Sequence, residues 1–443
     1  MEIEIISREN IKPSPPTPSH LRDYKLSLLD QVAPTIYEPI LLFYLPNTTD
    51  HHLTSCKTLE LLKESLSKTL SHFYPFAGKF KDNLTITCND EGAYLAVAQL
   101  VGEIDKATKK VDAEFVKQLQ GESGVFKYHE ALSGCLVSMF QVNIFDCGGI
   151  VIAILVSHKI ADGIAISNFL KCWAAIASES ETESLFPSFD SSSLFPQNIS
   201  IAETVKGAAS VFIKTGKWVT RRFKFDAESL SALKAKATNL SSGHIPSRVQ
   251  SVTALIWKSF IATRTFLSTA QKPCFASHVV DLRRRASPPF SESSVGNLIW
   301  LAWAKCKDER STELDQLVGE INKPIKEVNA ELVKQLEGES GVFKYREALK
   351  WVYEEINKED VDCLLFTSWF NFGLYKVDFG WGKPALATYT GVDPQSIYFN
   401  EVVLMETKEG NGMEAWVTLD EQEMAVFECE RELLSFASVC REA

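Results

Sequence analysis

The chain has 443 residues, 45% hydrophobic and 23% charged, with 46 basic against 57 acidic side chains and a formal charge of −11. At roughly 100–150 residues per domain this suggests two or three domains with real cores, and the near-average composition excludes disordered, collagenous and coiled-coil chains. The acidic balance argues against a nucleic-acid partner, so any bound anion needs a local basic cluster.

In chain order, the first feature is Ile11-Lys12-Pro13 through Thr17-Pro18, extended because its four prolines fix φ and remove donors. Leu59 to His72 carries apolar residues at 59, 61, 62, 66 and 70, a helical stripe. Leu84 to Cys88 alternates as a strand before the Asn89–Gly92 turn. Leu136 to Phe145 and Ile150 to Ser157 are β-rich runs joined by Asp146-Cys147-Gly148-Gly149, a hairpin signal, and helical periodicity follows from Ile164 to Ile176. Between 184 and 200 Ser, Pro and Phe recur without a period, which reads as a linker. Beyond it the pattern predicts a strand at Val219–Phe225, helices at Ala227–Ala237 and Val249–Ala262, and a helix at Leu314–Asn322 stopped by Pro324. Helices at Ala330–Leu336 and Trp351–Asn357 and a strand at Ala415–Leu419 complete a mixed α/β pattern in both halves. The expected division is 1–185, a crossover linker 186–218, and 219–443.

Val101 to Leu132 recurs as Val318 to Leu349, with 24 of 32 positions identical. Two halves that are otherwise dissimilar do not share so sharp a block by ancient symmetry, so one copying event is the better account, and a solenoid needs at least three units. Ala330 to Leu336 suits its surroundings as a helix, which makes the N-terminal copy the insert.

Ten cysteines lie scattered from Cys56 to Cys440 with no C-x-x-C pair, as expected of reduced, mostly buried thiols. Met1 to Arg8 lacks an apolar h-region, and the run Ile150 to Val156 is far short of the roughly 20 residues that span a bilayer. A cytoplasmic protein without membrane contact is expected.

No H-E-x-x-H, Walker A or G-x-S-x-G pattern occurs, and no metal site is visible. His51 and His52 sit in a polar loop and read as solvated. His158 ends the apolar run 150–157 and opens His158-Lys159-Ile160-Ala161-Asp162-Gly163, directly before a helix. By itself this is a weak pattern, compatible with a structural histidine and with Asp162 as a helix N-cap. Asp378-Phe379-Gly380-Trp381-Gly382 sets a large flat side chain between glycines, which alone suggests a tight turn with a Trp anchor.

Together, in this order, the two clusters resemble the BAHD family of plant acyl-CoA-dependent acyltransferases, marked by H-x-x-x-D-G near the middle and D-F-G-W-G near the C-terminus. Ile11–Pro18, Leu28-Leu29-Asp30-Gln31, Tyr74–Gly78, Cys147-Gly148-Gly149, Asp281-Leu282-Arg283 and Gly296-Asn297 also stand where the family has similar segments. The His-Lys-Ile-Ala-Asp form is most similar to the branch of alkaloid, acylsugar and capsaicinoid acyltransferases. At 101–132 the chain departs, because the repeated block replaces the family's Asp- and Leu-rich stretch.

The resemblance implies two similar-sized domains of chloramphenicol-acetyltransferase-like fold, each a mixed β-sheet with flanking helices, and an active-site channel at their interface. It implies His158 as general base for direct attack of an alcohol on the thioester of acyl-CoA, most simply acetyl-CoA, in a monomer with no permanently bound cofactor. Asp162 is then structural, pairing with Arg283, rather than an orienter of the imidazole. Asp378, Gly380 and Trp381 support the site's architecture near the CoA end. Asn297 either donates to the CoA arm or oxyanion or is a turn residue, and Thr367 and Ser368 match a segment near CoA. Tyr37 either lines the acceptor pocket or is an ordinary packed aromatic. Lys214, Lys217, Arg221 and Arg222 either meet CoA phosphates or form a solvated strand edge. The rival readings are a non-catalytic or altered-specificity relative, and a condensation-type domain, against which Ser157 stands where such domains carry a second histidine.

Overall fold

A computed structural model describes residues 3–34, 36–46, 55–104, 108, 136–182, 185–202, 204–205, 212–238, 244–267, 273–306, 313–357, 361–389 and 397–440. The chain divides into two compact units of similar size, and each is a mixed α/β structure. The first comprises Met1–Ser200, Ser291–Leu298 and Phe372–Val392, and the second Ile201–Phe290, Ile299–Asn371 and Asp393–Ala443.

The first unit is built on strands β1 (Ile3–Ile11), β2 (Tyr37–Tyr44), β3 (Ala93–Leu100), β4 (Ser138–Phe145) and β5 (Ile150–Ser157) and helices α1 (Leu28–Val32), α2 (Ser55–His72) and α3 (Gly163–Ala177). Its sheet runs β1-β3-β4-β5-β2 and closes with the Leu386–Tyr389 strand. Pairing is antiparallel except between β3 and β4. All eight residues of β5 are buried, which explains its unbroken apolar run, because a central strand covered on both faces has no solvent side to alternate toward. Leu62, Leu66 and Leu70 of α2 are buried, and Phe169 and Trp173 of α3 pack edge-on or stacked with Phe73, Phe76 and Phe140. The indole N–H of Trp173 donates to Ser65 Oγ at 3.0 Å, so the largest core side chain leaves no polar atom stranded.

Two expectations change here. Asp378–Gly382 was expected in the C-terminal domain, but 372–392 belongs to the first unit. The cause is β2, whose residues 40–44 are buried on both faces. Its open edge needs a partner, and Leu386–Tyr389 pairs with Ile40–Phe43. The linker 186–218 is likewise built into the first unit at its start. Phe195 is fully buried, its carbonyl accepts from Leu28 N at 2.8 Å, and Ser188 bonds both Ser293 and Val295. The passage to the second unit falls at 200/201. Of the repeated block's N-terminal copy, only 101–104 and 108 lie within the described residues.

The second unit carries β6 (Trp218–Phe225), β7 (Cys274–Asp281), β8 (Ile299–Cys306), β9 (Asp362–Ser368), β10 (Glu401–Glu406), β11 (Met413–Asp420) and β12 (Ser438–Cys440) in the order β8-β7-β9-β10-β11-β6-β12. Helices α4 (Ala227–Lys236), α5 (Arg248–Leu267), α6 (Leu314–Glu327), α7 (Ala330–Leu336) and α8 (Gly341–Asn357) complete it. Buried Val252, Leu255, Ile256 and Phe260 of α5 join Leu364, Phe366 and Val402 of the sheet in one core. Pro324 does not end its helix, as expected from sequence, but sits inside α6. Leu314, Leu317, Val318 and Ile321 bury one face, and Ile325 packs on the same core beyond the proline. That burial offsets the lost N–H and ring clash. The predicted helix at Trp351 begins ten residues earlier, at Gly341.

Of the nine described cysteines only Cys88, Cys172, Cys274 and Cys306 are buried, fewer than expected. Among the described residues no helix is long and apolar enough to cross a membrane.

His278 of β7 is buried and stacks on Phe366, its register partner on β9, with ring centroids 5.4 Å apart. Burial pushes it down to about 4 from an ordinary 6.5, so it is neutral in the fold. The unfolded chain binds this proton first, so the stability involved is present above about 6.5 and is lost as pH falls toward about 4. His278→Phe should therefore lose less stability than the parent between about pH 7 and pH 4, by up to about 3 kcal/mol, in denaturant titrations of the second unit.

Candidate functional site

β5 delivers His158 to the first residue beyond a buried strand, where the chain turns sharply into α3. The turn closes through Ile160 N to Ser157 O at 3.1 Å. The backbone of His158 is held at both ends: its N–H donates to Ile36 O at 2.8 Å, and its carbonyl accepts from Asn297 Nδ2 at 2.7 Å. Its side chain remains partly exposed. A residue so fixed presents its imidazole from a rigid base, as a group that must meet a substrate atom within hydrogen-bond reach requires.

Asp162 serves the next element. Oδ1 accepts from Ala165 N at 3.0 Å, capping α3, and Oδ2 accepts from Leu298 N at 3.0 Å. It is 3% exposed, so its carboxylate is a buried joint between the α3 start and the Ser291–Leu298 segment. Gly163 is required by packing: a Cβ there would lie 2.4 Å from the ring of Phe372. Ser167 Oγ also donates to Phe372 O at 2.7 Å, so the 372–392 segment is docked directly on this helix.

Asn297 is 1% exposed, and its side-chain N–H groups reach Asp30 Oδ1 at 2.9 Å and the His158 carbonyl. The donors expected to face CoA or an oxyanion are thus committed inside the protein, because they are what satisfies a buried acid. Asp30 was not among the sequence candidates. Its side chain is fully buried and accepts from Ser27 N, Ser27 Oγ, Asn297 N and Asn297 Nδ2 at 2.7–2.9 Å. Burial pushes its carboxyl up, and the hydrogen bonds from Ser27 and Asn297 oppose the shift. Lys159, buried beside His158, donates from Nζ to Gln31 O at 2.8 Å. Burial pushes this ammonium down, opposed by the charge of Asp30. The capping box Ser27-x-x-Asp30 was the sequence signal for this cluster.

Asp378 folds its own loop, Oδ1 accepting from Gly380 N and Gly382 N, both at 2.9 Å. Gly380 takes φ +104°, a conformation side-chain-bearing residues rarely adopt. The expected Trp anchor is replaced by Phe379, fully buried and edge-on to Trp173 at 5.0 Å. Trp381 stacks on Phe379 and is itself partly exposed. Tyr44 meets both rings and donates to Val377 O at 3.0 Å. Tyr37 pairs with Ser157 across β2 and β5, is buried with Met139 and Leu155, and donates to Leu136 O.

The remaining candidates lie in the second unit. Arg283 is fully buried and donates to Asp281 Oδ1 at 3.1 Å; Asp162, its expected partner, belongs to the first unit. Thr367 and Ser368 end β9, in register with Val403 and Leu404. Three of the four residues of the basic cluster pair with acids: Arg221 with Glu428 at 3.2 Å, Arg222 with Glu414 at 3.8 Å and Lys214 with Asp362 at 4.0 Å. His51 and His52 lie outside the described residues.

Asn297→Ala keeps the backbone N–H but should leave one of the four hydrogen bonds to Asp30 unmade and free the His158 carbonyl. A loss of about 3 kcal/mol in the first unit's denaturant stability is expected, with at least a tenfold fall in turnover. Asn297→Asp, which sets a second carboxylate against Asp30, should be worse than alanine on both measures.

Three comparisons bear on this arrangement. A model described as the Transferase family matches residues 1–434. The chain is 40% identical to the epi-neemfruitin B 7-O-acetyltransferase of Melia azedarach over 99% of both chains, and 36% identical to stemmadenine O-acetyltransferase of Catharanthus roseus over 96% of both. The crystal structure of vinorine synthase matches with a TM-score of 0.81 and 33% identity over 99% of each chain. F. sporotrichioides TRI101, complexed with coenzyme A and T-2, shares the fold at a TM-score of 0.67 and 18% identity over 95% of this chain and 100% of that one. The strand-end histidine, the capped aspartate and the Asp378–Gly382 loop therefore sit in a chain that belongs to the Transferase family, the BAHD acyltransferases, and is an acyl-CoA-dependent O-acyltransferase.

Proposed function

We propose that the protein transfers an acetyl group from acetyl-CoA to a hydroxyl of a plant specialised metabolite, as a cytoplasmic monomer, with His158 as the general base. The observation that carries this reading is the double backbone clamp on His158 beside a side chain left partly open to solvent. The names of the similar proteins, acetyltransferases acting on limonoids and alkaloids among them, support the acyl group and the acceptor class.

An imidazole nitrogen of His158 takes the acceptor's hydroxyl proton as the oxygen attacks the thioester carbonyl. The new C–O bond gives a tetrahedral oxyanion, which collapses with cleavage of the C–S bond. The proton then passes from the imidazolium to the departing thiolate, so ester and free CoA thiol leave and the histidine is regenerated. Imidazole can both accept and donate a proton around neutrality, which suits both transfers. The thioester is already activated, so no covalent enzyme intermediate is required. Asp162 and Asp378 act in this scheme by holding the turn and the loop, and Thr367 and Ser368 are assigned to the CoA side.

His158→Ala should abolish turnover, a loss of roughly 10²-fold or more, while acetyl-CoA binding measured by calorimetry stays close to that of the parent. Acylation near the parental rate in that variant would refute the role of His158. Absence of CoA release across a panel of terpenoid and alkaloid alcohols would refute the activity itself.

A further inference from the structure

In the second unit β8 is the last strand of its sheet, paired only with β7 among the described residues, and α6, α7 and α8 stand beside that open edge. Between them lies a cavity of about 660 Å³, in the size range of sites that hold one drug-sized molecule. Every described residue lining it belongs to the second unit, and none is part of the His158 turn. Five rings line it: Phe212, Trp300, Trp303, Tyr345 and Trp351. Two pairs are already arranged without a ligand, Phe212 stacked on Trp303 at 5.3 Å and Trp300 edge-on to Tyr345 at 5.1 Å. Trp351 and Leu301 nonetheless stay 44% and 39% exposed, apolar surface that the unit itself does not cover.

The polar groups on the wall select the sign of charge. Among the described residues Glu327, Glu331 and Glu347 are exposed there, against a single Lys344. Glu331 is steadied by Gln335 Nε2 at 3.2 Å. A polyanion such as CoA is disfavoured by that balance, and a cation is attracted both by the carboxylates and by the faces of the aromatic rings. Among the described residues no histidine, cysteine, serine or threonine lines the cavity, and the wall they form is one of rings, carboxylates and aliphatic side chains. Burial pushes the Tyr345 hydroxyl up, which keeps it a neutral donor. Much of the wall, from Pro324 to Leu349, comes from the C-terminal copy of the repeated block.

We propose that this cavity is a second small-molecule site, for a rigid, largely apolar polycycle carrying a protonated amine. The hydrocarbon lies against the rings, and the ammonium faces the carboxylates. This goes beyond the acyl-transfer reading and does not depend on it, because binding here needs no thioester and no His158.

The test uses the full chain without acyl-CoA and three probes of one ring skeleton: an aminosteroid, the neutral steroid progesterone and anionic cholate. Binding is followed by quenching of tryptophan fluorescence and by equilibrium dialysis. The aminosteroid should bind one per chain and about tenfold more tightly than progesterone at low salt, with the advantage shrinking toward about 1 M NaCl, and cholate should not compete. Ala348→Trp, which puts an indole into the cavity, should abolish binding of the amine. The triple variant Glu327→Gln, Glu331→Gln and Glu347→Gln, confined to exposed side chains, should keep progesterone binding and erase the preference for the amine. Equal affinity for all three probes, no binding of any, or an amine preference that survives the triple variant would each overturn the proposal. Acetyl transfer by the same variants is assayed separately, so failure here is distinguishable from failure of the acyltransferase reading.

Discussion

A carboxylate with no water around it must find its hydrogen bonds inside the protein, and Asp30 finds four. Two come from Ser27, one helical turn away, and two from Asn297, some 267 positions along the chain. Because Asn297 spends its second side-chain N–H on the carbonyl of His158, satisfying the buried acid also fixes the turn that carries the histidine. Asp162 repeats the device from the other side, tying the α3 start to Leu298. The eight residues Ser291–Leu298 are thus held by two acids from the N-terminal part of the chain, and the histidine turn lies between those two attachments.

The sequence exposes this only in part. The fully buried strand before His158 and the helix after it were plain from an apolar run and a 3.6-residue period. Asp162 as an N-cap followed from its place before that helix. Ser27-x-x-Asp30 was also readable as a cap, but its second function was not, since no local pattern shows which distant donor an aspartate will meet. For the same reason the sequence leaves Asn297 open between a ligand donor and a turn residue: its partners, Asp30 and a backbone carbonyl, are long-range. Basic residues at 214–222 read as a cluster in one dimension, yet the acids that pair with them come from 362, 414 and 428. Pro324 shows the converse, a strong local signal overridden by apolar packing on both sides of it.

The repeated block shows how far context governs the use of a sequence. In its C-terminal place Val318 and Ile321 join the second unit's core, Val333, Leu336 and Val342 are buried, and other residues of the block shape a cavity beside β8. Neither outcome is written in the 32 residues alone. They supply an amphipathic pattern, and β8 with its two tryptophans supplies the surface that makes the pattern a wall.

The strand that closes the first unit's sheet has a consequence for how the protein is made. β2 emerges from the ribosome early, whereas Leu386–Tyr389, which covers its edge, lies more than three hundred residues later. At ~5–20 residues per second, that interval lasts on the order of 20–70 s. Throughout it the nascent first unit presents an apolar strand edge open to pairing with any passing chain. The sheet of the first unit is therefore completed only by a segment made late, and slowing translation after residue 200 lengthens the exposure of that edge rather than relieving it.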